Sequence, residues 1–320
     1  GRFDIALRGD YRAAQEYRQV DPRPHNVVSD FTFRLGAGME LGRSVLILDL
    51  RGRLYKQNSR ISFFNETNTV RELFMAGLGS ILQRYSGKSG STLTAYTGRG
   101  YAVAAQLMPH RPEGWYARAE YSRFTTDRNY RPNNSIPVST LRTQRGEAHV
   151  AYRAGRWSLG AYAARSQRLG IEMVADRTGQ GTPVDRQAMY ENRIWQAGAE
   201  ATVEWRRGNR RYALRPGVEW QQSAAEYLWP AREMTLSRLG GSLRGHAEWL
   251  FTRWRFKASL GIGCYGAPSG TLSLPGLADY LAEYLTGTAE RLNSRTLAPE
   301  AGFRAERRLR GRTACFAEAG

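Results

Sequence analysis

Histidines at positions 25, 110, 149 and 246 and cysteines at 264 and 315 are the first places to look for chemistry. The histidines show no helical or finger-type ligand spacing, so no zinc site is expected. Two cysteines cannot form a disulfide scaffold. His149 alternates with Arg145 and Glu147, and His246 with Arg244 and Glu248. In an extended chain each trio shares one face. A hydrolase could assemble acid–base groups in this way, but no nucleophile stands beside a base. The expectation is therefore a charge-laced wall and no catalytic residue. The run Gly261-Ile262-Gly263-Cys264-Tyr265-Gly266 matches the dinucleotide fingerprint in letters. That motif works only where a helix N-terminus follows to receive the pyrophosphate, and here Ala267-Pro268-Ser269-Gly270 follows. Gly87-Lys88-Ser89 resembles the end of a P-loop, but the first glycine it requires falls at Leu82. No cofactor and no metal are expected.

Paired charge is the stronger signal. Arg8, Asp10 and Arg12 alternate, as do Asp49 and Arg51, Arg145 and Glu147, and Glu200 and Glu204. Arg211, Arg215 and Glu219, then Arg244 and Glu248, then Glu300 and Arg304 continue the pattern. Of 47 basic residues only Lys56, Lys88 and Lys257 are lysines, against 29 acidic residues, for a net charge of +18. Guanidinium–carboxylate pairs are bidentate and stiff, which suits a rigid polar wall. A net positive chain could also bind nucleic acid, with arginine and aromatic groups against single-stranded bases. Phosphate binding needs cations clustered on one surface, whereas these are spread through every segment. Nucleic acid is therefore not expected as a partner.

The elements that hold these charges have a period of two. In 194–206, Trp195, Ala197, Ala199, Ala201, Val203 and Trp205 oppose Gln196, Glu200, Thr202, Glu204 and Arg206. Successive strand side chains point to opposite faces, so one face is apolar and the other polar. Thirteen such segments are predicted, at about 1–19, 27–38, 44–57, 92–108, 115–127, 139–154, 157–170, 189–206, 210–226, 234–252, 254–266, 294–308 and 312–320. They form one domain over 1–320, read as a fragment with both ends truncated. Short turns at 38–43, 109–114, 155–156, 207–209, 252–253 and 310–311 alternate with longer links at 58–91, 128–138, 171–188 and 267–293. An internal hairpin near Gly87–Gly90 is an open alternative within the first of these. The uncharged stretch 258–278 is too rich in Gly, Pro, Ser and Thr for a membrane helix.

Long antiparallel strands with short turns at one end and long links at the other describe an up-and-down transmembrane β-barrel. Aromatic positions favour the apolar face as the outward one. Trp115, Trp157, Trp205, Tyr212, Trp249 and Trp254 flank short turns, while Trp195 and Trp220 lie at the opposite strand ends. Trp195 and Trp205 are ten residues apart on one face, roughly 25 Å along the axis of a tilted barrel. That is the height of an apolar band bounded by aromatic girdles. Bacterial barrels of this kind have even strand numbers, so a complete one would hold at least about fourteen.

The organisation resembles outer-membrane β-barrel proteins of the Bacteroidota, and Tyr17-Arg18-Gln19-Val20-Asp21-Pro22-Arg23-Pro24 is similar to a segment of an uncharacterised family among them. The resemblance implies a Gram-negative outer-membrane location, without substrate, catalytic residue or cofactor. Outer-membrane lipid and lipopolysaccharide are the expected contacts, with room for an extracellular or periplasmic protein partner. The leading expectation is a pore or transport-linked barrel with a charge-paired lumen. A non-conducting scaffold for an extracellular complex is the main alternative; a membrane-embedded hydrolase and a soluble basic nucleic-acid-binding protein stand behind it.

Overall fold

The computed structural model describes residues 3–21, 23–64, 70–72, 74–82, 87–89, 91–130, 136–175, 183–308 and 314–319. In chain order these form β1 (Phe3–Tyr17), β2 (Arg23–Leu41), β3 (Ser44–Ser62), four short strands β4 (Val70–Glu72), β5 (Met75–Gly77), β6 (Ser80–Ile81) and β7 (Gly87–Ser89), then β8 (Ser91–Pro109) and β9 (Gly114–Tyr130). There follow β10 (Ile136–Ala154), β11 (Trp157–Ala175), β12 (Pro183–Arg207), β13 (Arg210–Tyr227), β14 (Arg232–Leu250), β15 (Trp254–Ser273), α1 (Asp279–Asn293), β16 (Thr296–Arg308) and β17 (Ala314–Ala319).

Thirteen strands make one sheet in the order β1-β2-β3-β8-β9-β10-β11-β12-β13-β14-β15-β16-β17, each antiparallel to its neighbour. The fold is an all-β, up-and-down barrel sheet; among the described residues β1 and β17 do not pair with each other. Register explains its two faces. One row runs Ile5, Ala37, Leu48, Ala105, Ala119, Ala148, Ala163, Ala197, Trp220 and Leu239 across ten strands. One residue further along, the row reads Asp49, Ala104, Glu120, Glu147, Ala164, Gln196, Gln221 and Arg238. A slip of one residue in any pairing would send its apolar set to the charged face, so the alternation specifies the register.

The apolar face is not folded over a core. Leu260 is 70% exposed, Trp157 63% and Val218 61%. Among the described residues only Phe74 and Val138 are large and fully buried. A soluble sandwich would cover such a face.

Three turns of two residues begin with glycine in the left-handed region, at Gly42 (φ +59°), Gly155 (φ +53°) and Gly208 (φ +61°). A first central glycine suits the primed turns whose twist matches long hairpins. The opposite end departs from expectation. The strands run on past the predicted segments, β12 to 25 residues, because the alternation breaks down there, as in Ile171-Glu172-Met173-Val174-Ala175 of β11. The link between β13 and β14 is only 228–231. The stretch 267–293, read as a loop, is strand up to Ser273 and then α1. Leu281 and Leu285 lie one helical turn apart, with Asp279 in the first turn and Arg291 in the last, each suited to the helix dipole. The Thr286-Gly287-Thr288 interruption hid this helix from the sequence pattern.

Within 58–91 there is a nested hairpin: β4 pairs with β7 and β5 with β6, and its turn is at Leu78-Gly79, not at Gly87–Gly90. Gly87-Lys88-Ser89 is thus a strand, and the Gly261–Gly266 run lies inside β15. The 310–311 turn falls outside the described residues. The Tyr17–Pro24 segment closes the β1–β2 link. The Arg18 amide donates to the Pro24 carbonyl at 3.2 Å, Arg23 pairs with Asp21 at 2.9 Å, and Asp21 accepts the Phe64 amide at 3.1 Å.

Candidate functional site

Following the register from strand to strand puts every expected wall residue on a single face. Arg8, Asp10 and Arg12 of β1 align with Asp49 and Arg51 of β3 and with Arg145 and Glu147 of β10. Glu200 and Glu204 of β12, Arg211, Arg215 and Glu219 of β13, Arg244 and Glu248 of β14, and Glu300 and Arg304 of β16 continue that face. Ion pairs tie strands together, some between neighbours and some, such as Arg244–Glu300 and Arg153–Glu204, across an intervening strand. Arg53 grips Asp30 with two bonds of 2.8 and 2.7 Å, and Arg244 grips Glu300 at 3.1 and 3.2 Å. Arg153 reaches Glu204 at 3.0 Å, Arg51 reaches Glu120 at 3.6 Å, and Glu248 lies between Arg211 (3.7 Å) and Arg255. Others stay within one strand, such as Arg8 with Asp10 at 2.7 Å and Arg145 with Glu147 at 3.0 Å. Arg215 donates instead to the Thr202 hydroxyl at 3.2 Å.

A cleft of about 420 Å³ opens on this face between β8 and β15. Arg118, His149, Tyr162, Glu200, Glu219 and Arg244 border it. It exists because small residues floor it. At Gly198 a Cβ would stand 2.5 Å from the Tyr162 ring and 2.8 Å from the Val218 carbonyl, so the ring lies flat against bare backbone. Gly240 carries the Tyr265 ring in the same way, its absent Cβ 2.2 Å from the ring. The Tyr162 hydroxyl bonds Glu219, and the His149 ring stacks on Tyr162 at 5.5 Å. His149 Nε2 is 3.9 Å from Glu147, and among the described residues no cluster of His, Cys, Asp and Glu is arranged to hold a metal.

The opposite face carries Trp115, Trp157, Trp195, Trp205, Tyr212, Trp220, Trp249 and Trp254. On the turn side Trp115 packs on Tyr152 at 5.0 Å, Trp205 stacks on Tyr212 at 5.7 Å, and Trp254 stacks on Phe256 at 5.7 Å. The Arg307 guanidinium lies over Trp254 at 5.4 Å, and Arg165 over Trp195 at 4.9 Å. Small and aliphatic side chains (Ala161, Ala199, Val218) fill the space between the two aromatic rows. Beyond Trp195 and Trp220 this face turns polar again, with Arg193 between Glu191 (3.1 Å) and Glu226 (3.3 Å). Cys264 is exposed on this face; the Cys315 side chain lies outside the described residues.

At the loop-side end of the charged face sits the β5–β6 hairpin. Leu78 packs with Ala225 and Tyr227, against Met189, Tyr190 and Met234. Phe74 meets Tyr130 edge-on at 5.6 Å with Arg128 over its ring at 4.1 Å. Buried Arg232 donates to the Leu78 carbonyl at 3.1 Å, the Ser80 hydroxyl at 2.9 Å, and the Pro275 and Gly276 carbonyls at 3.2 and 3.3 Å. Beside it the Tyr227 hydroxyl donates to Glu172 Oε1. Both residues lie past the Trp195–Trp220 row. Burial pushes the Glu172 carboxyl above the ordinary range, an effect opposed by the hydrogen bond from Tyr227. Burial and the bond to Glu172 push the Tyr227 phenol up to about 12.

The profile of a family described as "Family of unknown function (DUF6850)" matches residues 1–320. The chain belongs to that family. A comparison with curated proteins finds no match for this DUF6850 chain. Solved structures that overlap it include the beta domain of the Bordetella autotransporter BrkA, at 11% identity and a TM-score of 0.36, covering 84% of this chain and 94% of that one. BauA, the ferric preacinetobactin receptor of Acinetobacter baumannii, overlaps at 9% identity and a TM-score of 0.41, covering 95% of this chain; the DUF6850 chain spans about half, 54%, of that receptor. The transport unit of the Escherichia coli autotransporter AIDA-I overlaps at 10% identity and a TM-score of 0.31, covering 84% and 86% of the two chains.

Sequence reasoning missed several working parts of this DUF6850 chain. Asp30, Glu120, Arg153 and Arg255 complete the ion-pair lattice and were readable from the same alternation. Arg232 and Leu78 had no such signal, since they meet across 154 positions.

Proposed function

We propose that this chain is the membrane-spanning wall of an outer-membrane β-barrel whose charged face lines a polar lumen, acting as a pore or transport-linked channel. The observation that carries the reading is the division of the sheet. One face is laced with guanidinium–carboxylate pairs, and the other is an uncovered apolar band bounded by aromatic rows. Among the described residues no helix is long and apolar enough to cross a membrane. The mixed signs of the wall favour water and solute passage over simple anion selectivity. On this reading the protein is not an enzyme and needs no cofactor. Its contacts are outer-membrane lipid and lipopolysaccharide, and nucleic acid is not a partner, since its arginines are spread through every segment and many pair with carboxylates. Kinship with Bacteroidota barrels, suggested by Tyr17–Pro24, belongs to the same proposal.

The test is single-channel recording of the full chain in a planar bilayer. Steady conducting steps support the pore; insertion without conductance in any condition overturns it. A second reading, a non-conducting scaffold, is favoured by one observation, the hairpin docked at the loop-side end of the charged face.

A further inference from the structure

Resting on the lumen reading, we infer that the β5–β6 hairpin is a gate that closes the loop-side mouth, with Arg232 as its latch. The burial pattern singles this hairpin out. The large apolar side chains that the described sheet buries are few, Val138, Tyr227 and Leu236, yet the short hairpin segment buries Phe74 and Leu78 at 0% and 8% exposure, with Ser80 at 6%. Apolar side chains are thus spent on docking a loop where the wall is otherwise polar.

The docking is specific to this sequence. Gly77, Leu78 and Gly79 form a tight turn with three consecutive positive φ values, +142°, +42° and +73°. For Leu78 the left-handed backbone is unfavourable and is held by burial of its side chain. A Cβ at Gly77 would stand 2.5 Å from the Tyr190 ring, and one at Gly79 would stand 2.7 Å from Leu277. The tip is therefore gripped between the wall and the segment leading into α1. Arg232 then joins three pieces of chain that share no sequence neighbourhood: the wall strand β14, the hairpin through Leu78 and Ser80, and the 275–276 turn. These contacts amount to two small clusters, one around Leu78 and one around Phe74, and one latch. Such an element can leave without unfolding the sheet, whose strand pairings it does not share.

The experiment uses the full chain in planar bilayers, in a Cys264→Ser, Cys315→Ser background. Leu78→Cys with Ala225→Cys allows the hairpin to be tied to β13 by a short bifunctional thiol cross-linker. Gly77→Ala with Gly79→Ala, and separately Arg232→Ala, loosen it. The gate predicts that the cross-link forms in high yield, that it lowers open probability at least about tenfold, and that both loosened variants raise it by a similar factor. Cross-linked channels that conduct like uncross-linked ones, or a cross-link that does not form, overturn the gate. If the cross-link forms but no variant conducts after insertion, the pore reading fails and the gate with it. If cross-linking fails while channels conduct, the gate alone fails.

Discussion

The Tyr227 hydroxyl donates a 2.6 Å hydrogen bond to Glu172 Oε1 across 55 positions of chain, joining β13 to β11 under the docked hairpin. Glu172 holds its proton more tightly in the folded state than in the unfolded chain. The folded protein thus binds more protons between the ordinary glutamate value and the raised one, and stability falls as pH rises through that window. Glu172→Gln removes this slope. Thermal unfolding in detergent across mildly acidic pH checks it, the expected outcome being a flatter pH dependence for the variant and a higher Tm near neutrality.

Ala199 pairs with Ala161 and Val218, midway between Trp195 and Trp205 on the apolar face. Arginine there should cost about 2–4 kcal/mol of stability in the bilayer if the position faces lipid near the midplane. Glu200→Arg, one residue along on the other face, should alter conductance and leave insertion nearly intact. Folding titrations into lipid vesicles separate the two, and a neutral Ala199→Arg would sink the face assignment.

The ion pairs should differ sharply in worth. Glu248 has 12% side-chain exposure between Arg211 and Arg255, so Glu248→Gln takes the carboxylate from Arg211 and leaves Arg255 with Glu306 at 3.7 Å, and should cost about 1–2 kcal/mol after allowing for the partial hydration of both guanidiniums. Asp10 and Arg8 are largely exposed, and Asp10→Asn should leave the denaturant midpoint unchanged.

Gly240→Ala drives a Cβ into the Tyr265 ring, and should cost about 1–3 kcal/mol. Because the clash is with a side chain alone, a double-mutant cycle with Tyr265→Ala should be strongly non-additive. Gly198→Ala also meets the Val218 carbonyl at 2.8 Å, so Tyr162→Ala should rescue it less completely.

The reach of the sequence follows the range of each interaction. Strand positions, the short turns at Gly42, Gly155 and Gly208, and the two faces of the wall come from period-two patterning and from glycines at two-residue turns. These are local features, and antiparallel neighbours joined by short turns carry them across the sheet without ambiguity. By itself the sequence therefore determined the all-β meander and which residues share a face, Arg8 with Arg12 and Trp195 with Trp205 alike. Only the tertiary structure decided which charges meet, since Arg53 finds Asp30 and Arg153 finds Glu204 through register and rotamer together. It alone placed Leu78 against Arg232 and gave the Tyr17–Pro24 segment its clasp on Phe64. Those contacts join segments far apart in the chain, where no periodicity marks one partner for the other.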